Sequence, residues 1–182
     1  MHPLERWFGA SLVPLFRVSL ALSILTMTPL AVVDASLRCP TAPNGIVSFE
    51  LAGGGAEELL RGWTEMQRRD AMLVQGLDYL FLVLYSTALA AAALLLGRRA
   101  RKAKPRLAAL ATPLAWGFTL AGVCDAIENT PMTLMLRSGE ANAAGAMVTL
   151  GFASAKFILL LIGIPYLLLT AALTRRLGAQ GG

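Results

Sequence analysis

Residues 71–106 read AMLVQGLDYLFLVLYSTALAAAALLLGRRARKAKPR, and this stretch decides the class of fold. From Ala71 to Leu96 only Gln75 and Asp78 interrupt an apolar run. About 20 apolar residues are enough to cross the hydrocarbon of a bilayer as a helix. The run then meets Arg98, Arg99, Arg101, Lys102, Lys104 and Arg106, with no acid among them. A basic cluster wedged between two apolar runs is the mark of a short cytoplasmic loop joining two membrane helices.

Three further apolar runs lie outward of this one. Leu12 to Val33 is broken only by Arg17, whose long side chain can reach an interface. Leu107 to Leu136 contains Pro113 and Pro131, which predict a shorter helix over about 107–130. Ala146 to Leu173 carries Lys156 and Pro165. The reading is an all-α integral membrane protein: one domain over 1–182, with helices at about 12–33, 71–96, 107–130 and 146–173.

Composition agrees. Of the 182 residues 56% are hydrophobic and 15% charged, against roughly 25% charged in soluble domains. The net charge of +5 comes from residues at the ends of apolar runs. It therefore reports orientation rather than nucleic-acid binding, and membrane lipid is the expected partner. Arg6, Arg175 and Arg176 place both termini on the cytoplasmic side with the 98–106 loop, in a multi-pass protein of the cell membrane. That loop can also touch anionic headgroups.

The connection from Asp34 to Asp70 then lies outside. Its segment CPTAPNG (39–45) is rich in turn formers. Val47, Phe49 and Leu51 alternate with Ser48 and Glu50, which predicts a short strand over 46–51. Gly53, Gly54 and Gly55 break the chain. Leu59, Trp63 and Met66 then fall on one face of an interfacial helix, with a loop helix packed on the bundle as the other reading. An oxidising outer compartment would allow Cys39 and Cys124 to form a disulfide; the other reading is two unpaired thiols. A cleaved signal peptide ending near Val33, Asp34 and Ala35 is a rival account of the first run, which is long for that role.

The chemistry is concentrated in GVCDAIEN (122–129), inside the third run. Asp125, Glu128 and Asn129 share one helix face by their spacing of three and four. Asp78 is 20 positions from Arg98, Asp125 is 19 from Arg106, and Lys156 is 19 from Arg175. At about 1.5 Å per residue all three lie roughly 28–30 Å from the basic boundary. Tyr85 shares the Asp78 face, two turns deeper. Charges at such depth should turn inward and meet partners. Three acids against one lysine leave negative charge in excess, so either one carboxyl is protonated through like-charge repulsion and desolvation, or water, a cation or a basic group of a ligand completes the site.

The candidate site is therefore Asp78, Tyr85, Asp125, Glu128, Asn129 and Lys156. No metal or cofactor is expected. His2, read as a solvated terminal residue, and both cysteines are distant from the acids in sequence, and no span holds a histidine for haem. The leading expectation is a structural or ligand- and proton-binding bundle. A second is a proton- or cation-coupled transporter of small solutes, acting as a homodimer or in a larger membrane complex. A third is an intramembrane enzyme acting on a lipid or isoprenoid by carboxylate acid–base chemistry, with Lys156 stabilising negative charge. The residue patterns around the aspartates of lipoprotein signal peptidases and the thiol pair of quinone-linked disulfide enzymes are absent, and no family resemblance is claimed.

Overall fold

The computed structural model describes residues 1–180. Gly181, Gly182 and the side chains from 176 onward, including Arg176 of the terminal basic pair, lie outside the described residues. Seven helices follow in order: α1 Pro3–Phe8, α2 Leu12–Ser36, α3 Ile46–Glu50, α4 Ala56–Gly62, α5 Glu65–Ala100, α6 Pro105–Ser138 and α7 Ala143–Gln180. A single 3-10 turn, Gly53–Gly55, precedes α4. Helices α2, α5, α6 and α7 are long and apolar enough to cross a membrane.

The helix ends are set by local chemistry. Pro3 and Pro105 start α1 and α6, where a missing N–H costs nothing. Thr64 and Gln67 form a reciprocal capping box ahead of α5. Gly139 closes α6 at a left-handed φ of 75°, its N–H reaching the Met135 carbonyl at 2.9 Å. Pro29, Pro113, Pro131 and Pro165 all lie inside helices. Neighbouring helices tolerate proline within membrane spans, so α6 runs through both of its prolines to Ser138 instead of stopping near 130. At 36 residues, α5 extends roughly 54 Å, longer than the roughly 30 Å that a spanning helix needs.

Helix α5 packs on α2, α6 and α7, and α6 packs on α7, while α2 and α7 have no substantial contact. Close approach of α5 and α6 depends on small residues. Gly97 faces Ala111, and a Cβ on Gly122 would sit 2.8 Å from the Ser86 Oγ. Ala90, Ala91, Ala93, Ala111 and Ala115 fill one half of the core with Leu12, Phe118 and Tyr166. Leu37, Phe49, Leu60, Trp63, Met132 and Met135 fill the other half, under the 34–70 connection.

That connection is a packed cap: the strand expected over 46–51 is absent, and of the two readings left open for the segment after Gly55 and for the cysteines the structure has the packed loop helix and the unpaired thiols. Ile46–Glu50 is helical, not a strand, and Leu51 follows as a turn: Ile46, Phe49 and Glu50 are the buried positions, a spacing of three and four. Gly45, at φ 59°, brings the chain onto Asp34, whose carboxylate accepts the Ile46 N–H at 2.7 Å and starts the turn. Among the described residues there is no strand, only an isolated bridge between Cys39 and Ala42. The packed loop helix takes the place of the interfacial one. Helix α4 ends at Gly62, and Trp63 is only 3% exposed. Its indole N–H donates to the Leu37 carbonyl at 2.8 Å and its ring meets Phe49 edge-on. Met66 belongs to α5 and points outward. Cys39 and Cys124 are free. Cys39 is held in its turn by Thr41, 3.2 Å away, while Cys124 is buried in α6.

His2 departs from expectation too. It is buried, accepts the Leu4 N–H through Nδ1, and places Nε2 3.2 Å from the Thr119 hydroxyl. Its ring packs edge-on against Trp116. Arg98 holds the same N-terminal segment through the Gly9 carbonyl and Glu5.

Candidate functional site

Between the two apolar halves of the core lies a polar layer centred on Lys156. This lysine projects from the middle of α7 and is 6% exposed. Its Nζ donates to Asp125 Oδ1 at 3.0 Å, to Glu50 Oε2 at 3.1 Å, and to Glu128 Oε1. An ammonium has three hydrogens, and all three are engaged. Asp125 and Glu128 reach it from successive turns of one face of α6. Glu50 reaches it from the end of α3 in the cap.

The remaining groups hang from this centre. Tyr85, on α5, donates its hydroxyl to Asp125 Oδ2 at 2.8 Å. Asn129, on α6, donates its amide to Asp78 Oδ2 at 2.6 Å. Asn129 is thus a mid-helix connector between α6 and α5. Asp78 makes no ion pair among the described residues; it joins the layer through Asn129. Asp125, Glu128 and Asn129 are 3%, 0% and 0% exposed, so α6 carries the driest part of the site.

Glu50 is the functional-site residue that a reading of spans alone misses. It sits in a segment with the composition of a surface loop, and only the folding of that segment as a helix under Asp34 turns it inward. Its i, i+3, i+4 burial with Ile46 and Phe49 is the sequence signal that could have found it. Burial raises the Glu50 carboxyl above its ordinary range, with the attraction of Lys156 opposing.

A cavity of about 520 Å³ opens onto this layer. Its polar floor contains Glu50, Asp78, Tyr85, Asp125 and Lys156. Its walls are apolar: Met27, Leu30 and Ala31 from α2 face Phe157, Leu160 and Ile164 from α7, and Phe81 stands on α5. Asp34 and Arg38, 3.9 Å apart, stand at the rim. Because α2 and α7 do not pack on each other, the mouth lies between two of the helices long and apolar enough to cross a membrane. It faces the side of the bundle, where Met27 and Ile164 are 50% and 40% exposed.

The same geometry limits the chemistry. Among the described residues no group of three His, Cys, Asp or Glu is placed to hold a metal ion; the Lys156 ammonium occupies the centre of the carboxylates. Lys156 has no hydrogen left for a developing oxyanion. Tyr85 is likewise committed to Asp125. What the polar layer holds in excess is acceptors: among the described residues Glu128 Oε2 and Asn129 Oδ1 are buried without a partner.

No protein-family model matches the chain, and neither the curated proteins nor the solved structures provide a match.

Proposed function

We propose that this protein binds a membrane-borne amphiphile inside the bilayer. The polar end of the ligand meets the layer of Asp78, Tyr85, Asp125 and Lys156, and its apolar body lies between α2 and α7. The observation that carries this reading is the combination of a charged floor, apolar walls and a mouth between two spanning helices in one cavity of about 520 Å³. That size is typical of small-molecule sites. In this reading the 98–106 loop faces the cytoplasm with both termini, and the 34–70 cap lies on the outer side of the cell membrane.

The alternatives draw less support. A transporter needs a path to both faces, and the half of the core beyond the polar layer is filled by alanines, Phe118 and Tyr166. An enzyme using Lys156 as an electrostatic catalyst needs free N–H groups on it, and all three are engaged.

The test is native mass spectrometry of the protein released from lipid nanodiscs. A bound amphiphile is expected on the unmodified protein and lost in Ala31→Trp, which fills the mouth without touching the charged layer. The same adduct pattern in both proteins would refute the reading.

A further inference from the structure

The proposed binding site leaves the charge of its ligand open, and the count of hydrogen-bonding groups narrows it. On the donor side, three Lys156 hydrogens and the Tyr85 hydroxyl are used within the layer. One hydrogen of the Asn129 amide goes to Asp78. At the rim Arg38 is turned to Asp34, with its side chain 62% exposed. On the acceptor side, one oxygen each of Asp78 and Glu50, which line the cavity, has no partner among the described residues; the orphan oxygens of Glu128 and Asn129 lie behind that lining. Three carboxylates surround the Lys156 ammonium, and Asp78 is a fourth in the same layer.

A buried acceptor without a donor costs on the order of 1–3 kcal/mol. Uncompensated negative charge in a low-dielectric site costs more. An anionic headgroup would add to both deficits. A group bearing positive charge and N–H donors relieves both at the lining carboxylates Asp78 and Glu50. The cavity also offers rings to such a group: Phe81 and Tyr85, with centroids 5.2 Å apart, line it beside Asp78. Aromatic faces attract cations.

Building on the amphiphile reading, we infer that the ligand is a long-chain ammonium: a protonated amine whose N–H groups meet Asp78 and the free oxygen of Glu50, whose charge lies against Phe81 and Tyr85, and whose hydrocarbon leaves between α2 and α7. Asp78 is the counter-ion in this arrangement because it alone of the four carboxylates stands free of Lys156 while lining the cavity.

The experiment measures binding of four twelve-carbon probes to the full chain in nanodiscs. They are dodecylamine, dodecyltrimethylammonium, dodecanol and dodecanoate, each corrected for partition into empty nanodiscs. The inference expects dodecylamine to bind at least tenfold more tightly than dodecanol, the trimethylammonium to fall between them, and dodecanoate to be the weakest. Asp78→Asn should weaken dodecylamine at least tenfold and leave dodecanol unchanged. Phe81→Leu, which keeps every charge, should weaken both cationic probes more than dodecanol, and it serves if Asp78→Asn fails to fold. Equal binding of dodecanol and dodecylamine, or preference for dodecanoate, overturns the ammonium inference while leaving an amphiphile site in place. Retention of dodecylamine binding by folded Asp78→Asn overturns the counter-ion assignment. Binding of none of the four to folded protein overturns the site itself.

Discussion

Replacing Lys156 by Met probes the polar layer most severely. The substitution keeps an unbranched side chain of similar length, so packing changes little while the only ammonium at the centre disappears. Glu50, Asp125 and Glu128 then face one another with no counter-charge, at positions 7%, 3% and 0% exposed. Removing one partner of a buried ion pair costs about 3–5 kcal/mol, because the group left behind is buried and uncompensated. For a chain of this size each kcal/mol moves the unfolding midpoint by about 2–4 °C. A fall of roughly 6–20 °C follows, measurable by thermal unfolding in a single detergent or nanodisc composition. The companion double variant discriminates the cause. Adding Glu128→Gln removes the driest orphaned charge, so Lys156→Met with Glu128→Gln should be more stable than Lys156→Met alone, with a coupling of about 0.5–3 kcal/mol. Lys156→Met as stable as the unmodified protein, or costs of the two substitutions that simply add, would refute the placement of these side chains.

Other perturbations test separate parts of the structure. Tyr85→Phe removes the 2.8 Å donor to Asp125 and should cost about 1.5–3 kcal/mol, the range for hydrogen bonds to charged groups, in the same unfolding measurement. Gly122→Ala puts a methyl 2.8 Å from Ser86 Oγ and 3.3 Å from the Leu82 carbonyl, and should cost about 1–3 kcal/mol by overpacking. Gly151→Ala, where nothing lies within 4 Å of the added carbon, should instead be neutral or stabilising by about 0.5–1 kcal/mol. Burial lowers the His2 imidazole below its usual range, with Glu5 opposing. Nδ1 must stay unprotonated to accept the Leu4 N–H. Docking of α1 is therefore complete above the ordinary histidine pKa of about 6.5 and is lost as pH falls through the lower folded value. Hydrogen exchange at residues 3–8, corrected for the intrinsic pH dependence, should show protection falling in acid; constant protection would contradict it.

How far the sequence reaches follows from where its signals are periodic. The four long apolar helices are legible because run length and composition point the same way. Their ends are less so. Pro131 reads as a stop in water, but α6 carries it in mid-helix, where helix neighbours replace lost backbone partners. The common level of Asp78, Asp125 and Lys156 can be counted from the basic boundary, since rise per residue is constant along a helix. That count cannot show which acids touch the lysine. Asp78 instead turns to Asn129, and Glu50 enters from outside any span. The cap resists reading for a different reason. Val47, Phe49 and Leu51 alternate as in a strand, yet there is no neighbouring edge to pair with. Asp34 supplies a helix-starting acceptor from twelve residues away, a contact no local pattern encodes. His2 is illegible in the same way, since its burial depends on Trp116 and Thr119 in a helix more than a hundred residues distant.

The most direct test of the central claim is an experimental structure in a lipid nanodisc at a resolution that shows side chains. The account predicts Lys156 Nζ about 3 Å from carboxylate oxygens of Glu50 and Asp125, in contact with Glu128, and elongated density entering between α2 and α7 to end beside Asp78. Helices α2 and α7 closed against each other, with Asp78 and Lys156 turned to opposite sides of the bundle, would contradict it.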